Sequence, residues 1–263
     1  MLVDYHVHTA LCGHADGQME DYIRVAAQRD LREMGFNDHA PCFHLRDPNL
    51  TMSAHQLSEY VEQVWTLQRK HRRPRIKLGI EADFVPGYED AVRDLLELYE
   101  FDYVFGSVHF IGDWGFDDSR FLSQYEDYDV DEAYVRFFDL IRQSARSGLF
   151  DVLSHIDLIK KYDYWPTREI GSLLRQTVQT IADADVCVEV NTSGLRRPCR
   201  EIYPSERILR LCHQYGVPVT LGSDAHHPEE VGMDFGKALK LLKRVGYTRV
   251  ATFKGRKRKM VDL

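Results

Sequence analysis

Residues 2–17 read LVDYHVHTALCGHADG, a short apolar run that breaks off into His6, His8 and His14. The run has the length and β-branched character of a strand, and residues i and i+2 of a strand point to the same face. His6 and His8 therefore leave it side by side. The stretch decides the fold because its form recurs. EMGFND near Gly35, IKLGIEA from Ile76, YVFGSV from Tyr103, DVLSHI from Asp151, VCVEVN from Val186 and VPVTLGS from Val217 each read as a further strand. Their ends carry Asp38 and His39, Glu81 and Asp83, His109, His155, Glu189 and Asn191, and Asp224 and His226.

Helical patterns fill the intervals. SAHQLSEYVEQVWTLQRKH begins at Ser53, a plausible N-cap, EDAVRDLLELYE follows from Glu89, and SERILRLCHQYG runs from a Ser205 cap to Gly216 past its end. Strands alternating with helices predict a parallel sheet, and seven or eight such units predict closure into a barrel. An open doubly wound sheet is the alternative, but no G-x-G-x-x-G or P-loop follows the first strand. A last run, RVATF from Arg249, is expected to close or edge the sheet. Without internal repeat, low-complexity tract or linker, one domain over residues 1–263 is expected.

The bulk numbers narrow the function. A chain of 263 residues, 44% hydrophobic and 29% charged, has an ordinary globular composition. Its net charge of −7 argues against general attraction to nucleic acid or anionic lipid. The basic ending KGRKRKMVDL reads as a solvated terminus. No run approaches the ~20 apolar residues that span a bilayer, and the first residues lack the pattern of a signal peptide. Five scattered cysteines without a C-x-x-C pair read as reduced thiols, so the expected location is cytoplasmic. Oligomeric state is not legible.

A lone histidine at a strand end is usually a hydrogen-bonded structural residue. Seven of the twelve histidines, however, share one topological position, the carboxyl ends of strands, where parallel barrels build their active sites. Imidazole and carboxylate without thiolate suit zinc, manganese or non-haem iron. The set exceeds what one ion can use, so two or three divalent ions are expected, with Glu81 placed to bridge two of them. His44, His55, His71, His213 and His227 fall in loop or helix contexts or face the other way, and are set aside.

The ordered set H-x-H, His14, His39, Glu81, His109, His155 and D-x-H resembles the PHP (polymerase and histidinol phosphatase) superfamily over nearly the whole chain. The resemblance implies an α/β fold, a distorted (β/α)7 TIM-like barrel with a trinuclear metal site at the C-terminal ends of the strands. It further implies that His6, His8, Glu81 and Asp224 hold one ion, that Glu81 bridges to a second held by His109 and His155, and that His14, His39 and His226 hold the third. SHIDLIKKYDYWP and VEVNTSGLRRPCREIYPS are similar to the histidinol-phosphate phosphatase branch. There, basic residues after the fifth and sixth strands recognise phosphate, which here means Lys160 or Lys161, and Arg196 or Arg197.

The expected reaction is hydrolysis of a small phosphate monoester, L-histidinol phosphate in that branch, as a step of histidine biosynthesis. Hydroxide formed between two ions would attack phosphorus, with Arg and Lys neutralising the non-bridging oxygens. Glu81, Asp224 and His226 are the candidate catalytic groups, and a metal-bound water, Asp224 and His226 remain alternatives for protonating the leaving alkoxide. Three rivals are a phosphoesterase acting on a nucleotide, sugar phosphate or phosphodiester, a metal-stabilised interaction module without catalysis, and an amidohydrolase-like barrel. The last fits least, since no lysine stands at a strand end.

Overall fold

The computed structural model describes residues 2–45, 47 and 49–263. Among these, seven parallel strands follow one another around the sheet in chain order: β1 (Val3–Val7), β2 (Glu33–Phe36), β3 (Arg75–Asp83), β4 (Tyr103–Ser107), β5 (Val152–Leu153), β6 (Cys187–Asn191) and β7 (Val219–Gly222). Seven helices alternate with them: α1 (Met19–Gln28), α2 (Ala54–Lys70), α3 (Glu89–Leu96), α4 (Val130–Arg146), α5 (Gly171–Asp183), α6 (Glu206–Gln214) and α7 (Phe235–Val245). The ring is drawn together where Val7 pairs with Ala225, just past β7, through His8 N–H to the Ala225 carbonyl (2.9 Å) and Ala225 N–H to the His6 carbonyl (3.2 Å). This is the distorted (β/α)7 barrel, with no G-x-G-x-x-G turn of the doubly wound alternative.

The helices form where the sequence caps them and gives them one apolar face. Ser53 opens α2 in a capping box with Gln56, and the Ser205 hydroxyl accepts from Ile208 N–H at the start of α6. Leu57, Tyr60, Val61, Val64 and Leu67 recur at helical spacing and are buried. Each such side chain contributes about 1.5–3 kcal/mol on burial, so Leu57→Ala would cost about 2–5 kcal/mol.

Two local features aim the site. In β1 the register slips by one residue between Asp4 and Val7, a bulge opposite β2. A bulge re-aims side chains: Val3 and Tyr5 pack into the barrel floor, while His6 turns toward Glu81 at 3.2 Å. Strict alternation would have put Tyr5 and His6 on opposite faces. The second feature is the floor itself. Gly35 and Gly79 leave room for the Tyr103 ring, which any side chain there would strike, and Tyr103 donates to the Tyr5 carbonyl at 2.9 Å.

RVATF does not join the barrel sheet. It forms β8 (Arg249–Lys254), which pairs antiparallel with β9 (Lys257–Asp262) in a separate hairpin. With β1 already meeting β7, the ring leaves no free edge for it. The hairpin instead closes the floor: Ala251 and Phe253 pack on Val3, Tyr5, Tyr103 and Phe105, and the Lys77 ammonium donates to the Phe253 carbonyl at 2.7 Å. The basic ending is accordingly structured, with Arg256 on Asp151 (2.8 Å) and Arg258 on Asp185 (2.6 Å).

Candidate metal centre

Glu81 leaves β3 at the centre of the barrel mouth and faces five imidazoles at once. Its Oε2 lies 3.2 Å from His6 Nε2, 3.6 Å from His8 Nε2 and 3.2 Å from His39 Nδ1. Its Oε1 lies 3.1 Å from His155 Nε2 and 3.9 Å from His109 Nε2, and accepts from the Ser107 hydroxyl at 2.5 Å. Asp224 joins from beyond β7, its Oδ1 being 3.2 Å from His8 Nε2 and 3.9 Å from His6 Nε2. Above them His14 and His226 bring their Nε2 atoms to 3.0 Å, beside His39. Asp224 and His155 both hold positive φ, 54° and 22°. Such backbone strain gathers where a site over-determines its residues.

Five overlapping groups of ligand atoms gather among the described residues: His6, His8 and Glu81, with Asp224 alongside; Glu81, His109 and His155; His14, His39 and His226; His6, His155 and Asp224; and His8, His226 and the Cys12 thiol. All nine residues singled out in the sequence as ligands meet here.

The donor chemistry fits cations. Glu189 faces His6 Nδ1 at 2.7 Å, Asp38 faces His8 Nδ1 at 3.3 Å, and Asp83 faces His109 Nδ1 at 2.6 Å. A carboxylate can only accept, so each Nδ1 carries a proton and, in a neutral ring, Nε2 is left as a bare lone pair. His6 Nε2, His8 Nε2 and Glu81 Oε2 are buried with no hydrogen-bond partner. Acceptors facing acceptors in a buried site require a positive charge between them. The carboxylates on the outer nitrogens are the usual means of fixing a ligating histidine.

Burial opposes charge on His6 and His8, yet Glu189 and Glu81 beside His6, and Asp224 and Asp38 beside His8, hold both rings well above the ordinary imidazole value, so ring protons answer the same carboxylates that a bound cation would. Burial opposes charge on Glu81, but His6, His39 and a hydrogen bond from His155 outweigh it and hold the carboxyl well below the ordinary range. Asp224 is held low against burial by His6 and His8. Burial, together with the charge of His8, pushes His39 and His226 well below the ordinary imidazole value, leaving them neutral and ready to donate lone pairs. His109 rises to about 9 despite burial, because Asp83 and Asp117 stand beside it.

The centre lines a cavity of about 300 Å³, which runs into a recess of about 430 Å³ with Phe110, Phe121 and Tyr162 on its walls. Lys161 and Arg197 line both spaces. The Lys161 ammonium is held over the cleft by the Asp117 carbonyl (2.6 Å) and carboxylate (3.1 Å). Arg197 has no carboxylate partner among the described residues.

Lys160 and Arg196 turn away. Lys160 is buried against Asp157 (2.8 Å), Glu201 (2.6 Å) and the Ile202 carbonyl (3.0 Å). Arg196 pairs with Glu230 at 3.0 Å and donates to the Ser223 carbonyl at 2.8 Å, bracing the backbone that carries Asp224. Sequence reasoning left Asp38, Asp83 and Glu189 out of the site. Their one signal was position, since each lies at or just beyond a strand end within a few residues of a ligand.

Comparison with known proteins follows the same lines. The sequence model of the family described as PHP domain matches residues 4–193, and one described as PHP-associated matches 204–233. A Deinococcus radiodurans protein named as a probable histidinol-phosphatase is 39% identical over 257 residues, covering 97% of this chain and 98% of that one. The Bacillus subtilis histidinol-phosphatase is 26% identical over 87% of this chain and 95% of its own. A crystal structure of the Lactococcus lactis histidinol phosphate phosphatase, complexed with zinc, L-histidinol and phosphate, matches with a TM-score of 0.85 at 22% identity, over 98% of each chain. At that identity the likeness is one of fold.

Proposed function

The chain belongs to the PHP domain family, and from that premise we propose that it hydrolyses L-histidinol phosphate to L-histidinol and inorganic phosphate. The observation that carries the reading is the juxtaposition of bare acceptors around Glu81 with the cationic pair Lys161 and Arg197 across one cavity. Substrates of the relatives named above supply the identity of the monoester.

His6, His8, Glu81 and Asp224 would hold one divalent ion, Glu81, His109 and His155 a second, and His14, His39 and His226 a third; zinc, iron and manganese all suit these donors. Bound there, such ions supply Lewis acidity and a water acidic enough to attack phosphorus near neutral pH. The protein does the rest. Arg197 and Lys161 receive the non-bridging phosphate oxygens, Arg197 by a two-pronged fork and Lys161 as a point charge. Preorganised cations of this kind neutralise charge as the phosphoryl group is transferred. Asp224 is held ionised and His226 neutral, so the leaving alkoxide takes its proton from water in the cavity that these two residues line. Asp83, Asp117 and Asp118 on the wall of the recess suit a ligand with a protonated amine.

The test is a parallel assay of histidinol phosphate, nucleotides and sugar phosphates with wild type and Glu81→Gln. Clear preference for histidinol phosphate in kcat/KM is expected, and preference for another monoester refutes the substrate. Glu81→Gln should lose about 10³-fold or more in rate with the fold intact. Full activity in that variant removes Glu81 from its bridging place.

A further inference from the structure

The opposite end of the barrel gathers positive charge of its own. Arg32 leads into β2, Arg72 and Arg73 come from the segment between α2 and β3, and Arg75 opens β3. A backbone bond from Arg75 N–H to the Arg32 carbonyl (2.9 Å) ties the two segments together. With Glu33 the four arginines line a recess of about 360 Å³. Arg75 reaches Glu33 at 3.5 Å, while Arg32, Arg72 and Arg73 have no ion pair among the described residues. A neighbouring recess of about 610 Å³ shares Arg72 and Arg75 and adds Lys254, Trp65 and Lys77 together with Glu100 and Asp102, Lys77 being held by Asp102 (3.9 Å) and the Phe253 carbonyl (2.7 Å).

This clustering runs against the habit of the rest of the chain. The net charge is −7, and many guanidinium groups elsewhere meet carboxylates, as in Arg136–Glu132, Arg210–Glu206 and Arg256–Asp151, while those without an ion pair among the described residues, such as Arg29 and Arg146, donate instead to carbonyls or hydroxyls. The C-terminal end of α2 accounts for positive charge in its own last turn, Arg69 and Lys70. It does not account for Arg32, which arrives from a different element. Like charges held together at a recess repel unless an anion joins them. An unpaired guanidinium lining a cavity is also what marks Arg197 at the phosphate cleft.

We propose that this end of the barrel binds a phosphate-bearing polyanion, an inorganic polyphosphate or a nucleotide, at a site separate from the reaction centre. Guanidinium forks match phosphate oxygens in pairs, and several of them around one recess suit several phosphates. Trp65, 37% exposed in the adjoining recess, offers a stacking face to a base.

The test uses the metal-loaded full chain and calorimetry with inorganic triphosphate and with ATP, both as magnesium complexes so that they do not strip the centre. Wild type should bind triphosphate in a salt-sensitive manner. Arg32→Gln/Arg72→Gln/Arg73→Gln should bind about tenfold more weakly or worse, the loss of at least one charge-assisted contact. Its melting temperature and kcat/KM should match wild type, since these side chains lie outside the reaction centre. Tighter binding of ATP than triphosphate, lost in Trp65→Ala, identifies the ligand as a nucleotide; equal binding identifies it as a polyphosphate. Unchanged triphosphate binding in the triple variant overturns the proposal, as does binding in wild type that histidinol phosphate displaces completely.

Discussion

The Nε2 atoms of His14 and His226 lie 3.0 Å apart while the Nδ1 atom of each ring faces a backbone carbonyl at 3.1 Å. A carbonyl requires a donor, so each neutral ring keeps its proton on Nδ1 and turns a lone pair toward the other. The pair is satisfied when a cation sits between the two nitrogens, or when His14, which is held above its ordinary value while His226 is held below, carries a second proton and donates it.

Ion binding should therefore hold up the folded state. Chelation followed by calorimetry should lower Tm by about 10 °C, and returning zinc or manganese should restore it, because a ligand that binds only the native state stabilises it by mass action. Equal melting temperatures before and after complete removal of metal would contradict the lone-pair assignment.

Asp83 faces the outer nitrogen of His109 at 2.6 Å. Asp83→Ala should weaken metal affinity about 10–100-fold, the usual cost of removing a carboxylate behind a ligating histidine. Metal titration with a competing chelator reads this directly. Affinity equal to wild type would show that the His109 ring needs no such support.

Neighbours in sequence should part company in function. Arg197→Ala should reduce kcat/KM about 10²-fold or more, with Tm close to wild type, since the guanidinium has no carboxylate partner among the described residues. Arg196→Ala should act through the Asp224 backbone it braces, lowering Tm along with activity. Identical profiles for the two variants would be incompatible with the separation seen here.

Lys160 supplies a pH test. Burial works against its charge, but Asp157 and Glu201 outweigh burial and hold the ammonium above its ordinary value. A raised lysine contributes fully below about pH 10.4 and loses its contribution only as pH climbs through the folded value. Wild type thus gains a flat contribution across neutral pH. Lys160→Met strands the buried Asp157 carboxylate, at a cost of about 3–5 kcal/mol. Burial already holds that carboxyl above its ordinary value in the wild type, and removing the Lys160 ammonium that offsets burial raises it further. The variant therefore loses stability as pH rises from about 4. The Tm gap to wild type should be wider at pH 8 than at pH 5. A gap independent of pH would place the cost in packing.

Much of this was legible in the sequence because ligands in a parallel barrel gather at one recurring position. His6, Glu81 and Asp224 stood out as candidates without coordinates, since each lies near the end of a strand that is itself plain, while their grouping came from the resemblance to the PHP superfamily. What stayed hidden was relational. Glu189 supports His6 across 183 residues of chain, and nothing local announces that pairing. Lys160 and Lys161 differ only in direction around a short 3-10 turn, where successive side chains diverge by about 120°. The bulge in β1 leaves no compositional trace, yet it allows Tyr5 and His6 both to serve the interior. The placement of RVATF turned on a ring closed by other strands.

The meeting of Val7 with Ala225 that draws the barrel together also gives the centre a birth order. During synthesis His14 and His39 emerge early, but their partner His226 lies near the other end of the chain. His14, His39 and His226 therefore come together only when β1 meets the segment after β7, so a growing chain would offer metal an unfinished cradle that the joined barrel seals.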